Sequence, residues 1–118
     1  MYKGRVNLSI LIRAYVLPQT LTDATTVAFD VSLGVNASLT IAGDRTLGAP
    51  SNLNPGDSGN IAITQGAGGN HTLAYNAVWK FPGGSAPTLS TSAGDIDLLS
   101  WYSPDGTNVF AVLNNAFA

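Results

Sequence analysis

The chain has 118 residues, and five Lys and Arg against seven Asp leave a net charge of −2. Cysteine is absent and histidine occurs once, at His71, which excludes disulfides, thiolate metal sites, a Cys nucleophile and His-rich metal centres. So few cations make a poor ligand for nucleic acid or an anionic membrane, so neither is expected as a partner.

The first segment alternates, with Val6, Leu8, Ile10, Ile12 and Ala14 on one side and Asn7, Ser9, Leu11, Arg13 and Tyr15 on the other. Asn7, Ser9 and Arg13 break the apolar run, and no small-residue cleavage site follows, so it does not read as a signal peptide. It is also too short to span a bilayer. Pro18 ends it. Two readings fit: an ordinary first strand, or an arm over residues 1–20 that pairs with a neighbouring subunit. The segment carries three of the five cations, Lys3, Arg5 and Arg13. The arm reading therefore assigns partner contacts to Lys3, Arg5, Leu8, Ile10, Ile12, Arg13 and Tyr15.

From Val27 to Val35, apolar residues at every second position predict a half-buried strand, with Gly34 at its end. Ser38–Ala42 predicts a second strand, with Leu39 and Ile41 inward. Asn54-Pro-Gly-Asp57 has Pro and Gly where a type II turn needs them. Residues 60–65 and 71–75 read as an antiparallel hairpin closed by Gly66-Ala-Gly-Gly-Asn70. A second Pro-Gly turn falls at Phe81–Gly84, and Pro87 holds residues 86–92 extended. Residues 95–102 and 108–113, joined by Pro104-Asp-Gly-Thr107, read as a C-terminal hairpin. No segment carries a useful helical period, and no internal repeat is clear. The expected fold is all-β: a single-domain antiparallel sandwich or jelly-roll-like barrel over residues 21–118, behind the N-terminal arm.

Candidate chemistry is sparse. His71 flanks a glycine turn without a defined nucleophile or orienting carboxylate. Asp95 and Asp97 stand two apart on a predicted strand, on a side read as solvent- or interface-facing, with no calcium-loop spacing around them. Gly66-Ala-Gly-Gly69 lacks the lysine of a phosphate loop. Tyr75, Trp79, Trp101 and Tyr102 suit either a sugar platform or, more commonly, core and subunit contacts. Trp101 and Tyr102 join the arm as expected partner-binding residues. Neither catalysis nor a cofactor is expected.

A family resemblance rests on Gly43–Leu47, Pro55–Gln65 and Thr72–Tyr75, and most specifically on Trp79-Lys-Phe-Pro-Gly-Gly-Ser-Ala-Pro-Thr-Leu-Ser-Thr91. It continues through Asp95–Ser100 and Asp105–Thr107. Together these resemble a β-domain of tailed-bacteriophage virion proteins, over roughly residues 24 to 118. The resemblance implies a virion structural protein. Because the domain takes up nearly the whole sequence, it implies a head decoration (cement) protein, a homo-oligomer with a trimer preferred. Such a protein would bind the major capsid protein, or another virion protein, on the particle's outer surface after synthesis in the host cytoplasm. The alternative is a tail-fibre, receptor-binding or carbohydrate-binding domain with a glycan receptor.

Overall fold

Short apolar runs cut by glycine and proline give nine strands among the residues that the computed structural model describes, 15–117. They are β1 (Gln19–Thr20), β2 (Thr26–Val27), β3 (Ala37–Ile41), β4 (Arg45–Leu47), β5 (Ser58–Gln65), β6 (Leu73–Tyr75), β7 (Trp79–Lys80), β8 (Ile96–Tyr102) and β9 (Val109–Asn114). A six-stranded sheet has the order β1-β3-β5-β8-β9-β7, and a three-stranded sheet has the order β2-β4-β6.

The first six strands alternate between the two sheets, each parallel to the strand two before it. In the large sheet Gln19 pairs with Ala37 and Ala37 with Ile61; in the small sheet Thr26 pairs with Thr46 and Thr46 with Ala74. The chain therefore coils before β8 and β9 close the large sheet as an antiparallel hairpin. Pairing is mixed rather than purely antiparallel. Both sheets bury one set of alternate residues in a shared cluster, with Leu39, Ile41, Ile61, Ile63 and Leu99 from the large sheet and Val27, Leu47 and Leu73 from the small one. Phe29 meets Trp101 edge to face within it, ring centroids 5.6 Å apart.

Two expectations are corrected. Residues 60–65 and 71–75 form no hairpin, because β5 lies between β3 and β8 while β6 joins β4 in the other sheet. The buried Gln65 side chain explains the departure. Its amide nitrogen donates to the His71 carbonyl (2.6 Å) and its oxygen accepts from the His71 N–H (3.2 Å), taking the backbone groups a hairpin ladder would use. The strand expected over 27–35 is also interrupted. Asp30 accepts from the Ser32 N–H (3.0 Å) and hydroxyl (2.7 Å), capping a 3-10 turn over Val31–Leu33. That turn shifts the alternation, so Val27, Phe29, Val31 and Val35 are buried while Leu33 is 65% exposed.

The remaining turn chemistry matches expectation. Gly56 and Gly83, the glycines of the two Pro-Gly turns, adopt φ of 90° and 71°. The C-terminal hairpin forms, with Trp101 opposite Ala111 and Tyr102 opposite Phe110.

Candidate functional site

Alternation along β8 sends Asp97, Leu99 and Trp101 inward and Ile96, Leu98, Ser100 and Tyr102 outward. Register carries the outward set across the sheet. Ser58, Tyr102, Phe110 and Lys80 form one row, and Asn60, Ser100 and Val112 the next. Tyr102, Phe110 and Val112 are 47%, 52% and 48% exposed. Beside them, Lys80, Phe81, Pro82, Phe110, Ala111 and Val112 line a depression of about 380 Å³. The outward positions of β3, β5, β8 and β9 hold Ser, Thr, Asn, Ala, Ile, Leu, Tyr, Phe and Val, with no acid or base. The face is thus apolar toward β8 and β9 and hydroxyl-rich toward β3, and Lys80 of β7 is the charged residue among these outward positions of the described strands.

A second apolar patch lies at the start of the described residues. Tyr15, Val16, Leu17 and Leu33 are exposed. Hydrogen bonds to two backbone carbonyls fix this patch: the Val35 N–H donates to Tyr15 (3.0 Å), and the Asn36 side-chain amide donates to Val16 (2.8 Å). The Tyr15 hydroxyl donates to Asp57 (3.2 Å). Its pKa is raised, first by burial and then by the Asp57 charge. Residues 19–20 pair with β3 of the same chain, so the last part of the expected arm belongs to its own sheet.

Lys3, Arg5, Leu8, Ile10, Ile12 and Arg13 lie outside the described residues. Of the remaining expected contact residues, Tyr15 and Tyr102 are exposed, whereas Trp101 is 3% exposed and offers a partner no surface in the single chain. Sequence reasoning missed Phe110 as a surface residue. The available signal was its place opposite Tyr102 in the predicted hairpin, since cross-strand partners share a face. Trp79 is also interior, donating its ring N–H to the Gly48 carbonyl (3.0 Å), and Tyr75 packs on Phe81 with ring centroids 4.6 Å apart. These four aromatics therefore make no common platform.

The expected outward-facing pair Asp95 and Asp97 is corrected too. Asp97 is 2% exposed and accepts from the Ser90 N–H (2.7 Å), the Ser90 hydroxyl (2.7 Å), the Asn115 amide (3.1 Å) and the Ala116 N–H (2.8 Å). Its carboxylate is a buried clamp between the 88–92 segment and the C-terminal residues, while Asp95 accepts from the Ser92 N–H (3.0 Å) in a local turn. His71 is half-buried, with its Nε2 2.9 Å from the Ala67 carbonyl oxygen across the glycine turn. Among the described residues no three His, Cys, Asp or Glu side chains gather as a metal site.

Charge is uneven along the chain. The described residues contain all seven Asp but only two cations, Arg45 and Lys80, a net −5. Arg45 is committed to Asp23, at 2.6 Å through Nε and 3.1 Å through Nη2. The three cations before residue 15 oppose that surplus. No family model, curated protein or solved structure matches the chain.

Proposed function

We propose that this protein is a non-enzymatic structural component of a bacteriophage particle, a decoration protein that binds the outer shell and associates with its own copies. The finer fold reading that goes with this is a sandwich or jelly-roll-like body with an N-terminal arm. The observation that carries the proposal is the exposed apolar patch of Tyr15, Val16, Leu17 and Leu33, at the root of the segment read as the arm. Large apolar side chains fixed in the open suit contact with another protein. The basic, alternating residues before them suit strand addition onto an acidic partner. The sequence resemblance to tailed-phage virion domains supplies the particle, and the acidic body favours its outside over its DNA-lined interior. Because many copies bind one shell, a weak contact from each becomes strong in sum.

Co-sedimentation with shells stripped of surface proteins tests this reading. The full chain should pellet with the shells, and a variant lacking residues 2–14 should stay folded and remain in the supernatant. The cut stops at residue 14 because Tyr15 and Val16 bond to the body. Equal pelleting of both proteins, or of neither, would contradict it. The alternative, a tail-borne glycan-binding domain, rests on exposed Tyr102 beside Asn60 and Ser100. Glycan binding in the absence of shell binding would favour it instead.

A further inference from the structure

We infer that Asp105-Gly106 is a site of spontaneous aspartate isomerisation that the folded β8–β9 turn holds shut, so that isoaspartate forms only in chains whose turn has opened. The site is independent of any partner the protein binds.

Sequence supplies the reactivity. Asp105-Gly106 is the one Asp-Gly step in the chain, and Asn-Gly does not occur. Glycine has no side chain to hinder its nitrogen and leaves the backbone free to bring that nitrogen to the preceding carboxyl. The Gly106 nitrogen attacks the Asp105 carboxyl carbon, a C–N bond forms, and the amide proton leaves with the carboxyl OH as water. A succinimide ring remains, and water then adds at one of its two carbonyls. Addition at the side-chain carbonyl regenerates aspartate. Addition at the main-chain carbonyl leaves isoaspartate, whose backbone runs through the side-chain methylene. Water is the sole co-reactant.

Geometry withholds each participant. The Gly106 N–H donates to the Ser103 hydroxyl (3.0 Å), which itself donates to the Asn108 carbonyl (2.8 Å). Ser103 is fully buried, so this acceptor is fixed in place. The Asp105 carboxylate is engaged on the other side, accepting from the Thr107 N–H (2.9 Å), the Asn108 N–H (2.7 Å) and the Asn108 side-chain amide (2.9 Å). The attacking nitrogen is thus held back toward Ser103 and the carboxylate forward toward residues 107 and 108. The same bonds, the Asn108 side-chain one foremost, lower the Asp105 pKa and keep it a carboxylate, which has no OH to lose.

A neighbouring turn braces this one. The Ser103 N–H donates to the Asp57 carbonyl (2.8 Å), and the Gly56 N–H donates to the Ser103 carbonyl (2.8 Å). Gly106 takes φ of 77°, and a Cβ there would meet Pro55 Cδ at 3.0 Å. An isoaspartate adds a methylene to the backbone inside this interlock, at the turn that sets Tyr102 opposite Phe110. Isomerisation therefore converts a reversible opening into a permanent one.

Incubation of the full chain at physiological temperature and pH tests this. A protease that cuts before aspartate but not before isoaspartate reads the product, as lost cleavage between Pro104 and Asp105. The native chain should isomerise at least about tenfold more slowly than the same chain in urea, because the turn must first open. Ser103→Ala should recover most of that difference, and more of it than Gly83→Val, which strains a turn elsewhere in the fold. Asn108→Ala removes one exposed bond to Asp105 and should speed the reaction about two- to fivefold, whether or not Ser103→Ala folds. Equal rates in native and denatured chain would overturn the inference. So would no acceleration in Asn108→Ala, equal acceleration by Gly83→Val and Ser103→Ala, or earlier loss of cleavage at another aspartate.

Discussion

Asp97 shows how much one side chain can hold. Its carboxylate accepts from four donors: the Ser90 N–H and hydroxyl, the Asn115 side-chain amide, which also reaches the Thr88 carbonyl (3.1 Å), and the Ala116 N–H. Asp97→Ala would leave the part-buried Ser90 N–H and hydroxyl and the Ala116 N–H without this acceptor, and each such group costs about 1–3 kcal/mol. The expected loss is about 3 kcal/mol or more, read as a lower urea midpoint, with the C-terminal residues losing hydrogen-exchange protection first. A surface role for Asp97 predicts almost no change. The exposed carboxylates act through pH instead. The Arg45 hydrogen bond, ahead of smaller causes, lowers the pKa of Asp23; side-chain bonds from Asn52 and Ser32 lower Asp30, and those from Asn108 lower Asp105. A carboxyl whose pKa is lower folded than unfolded adds stability above the unfolded value, near 4, and loses it as pH falls through the folded value. Burial, then the Asp97 charge, raises the pKa of Tyr75. That hydroxyl therefore favours the folded state increasingly little as pH climbs past about 10, where the unfolded tyrosine ionises. Thermal melts should be flat from pH 5 to about pH 9 and fall on both sides, given these directions. A melt that keeps rising below pH 4 would contradict the assignments.

At the scale of elements, local chemistry was legible and pairing was not. Alternation located β3, β5, β8 and β9, and Pro-Gly pairs located their turns, because both signals are set by neighbours in sequence. Gly56→Val and Gly83→Val should each cost about 1–3 kcal/mol through backbone strain at positive φ. A Cβ at either position meets nothing within 4 Å, so a fall in thermal midpoint there reports strain and not a clash. Unchanged midpoints would mean the turns rearrange freely. The hairpin expected across Gly66–Asn70 failed because period two says a segment is a strand without saying which strand lies beside it. The decision was made by Gln65, a polar residue at an inward position whose amide captures the His71 backbone. Asp30 ended the expected strand over 27–35 for a similar reason, through an Asx turn. Of the expected contact residues, Tyr15 and Tyr102 are exposed and Trp101 is buried, and the exposed Phe110 was not singled out from sequence. The alternation of β8 separates Trp101 from Tyr102, but only the burial of Leu99 tells which side is inward.

Across the whole molecule, the coil of parallel strands and the closing hairpin put two apolar patches in different places. One is formed by Tyr15, Val16, Leu17 and Leu33 and the other lies on the outer face of the large sheet. A chain with one contact surface makes a complex; a chain with two can link copies to one another and to a shell. Binding of the outer shell through the patch of Tyr15, Val16, Leu17 and Leu33 is the central claim, and a density map of particles carrying the protein tests it most directly. The account predicts β-rich density on the outside of the head shell, with the Tyr15–Leu17 end toward the shell. Density confined to the tail tip, or the sheet face of an isolated copy pressed against the shell, would contradict it.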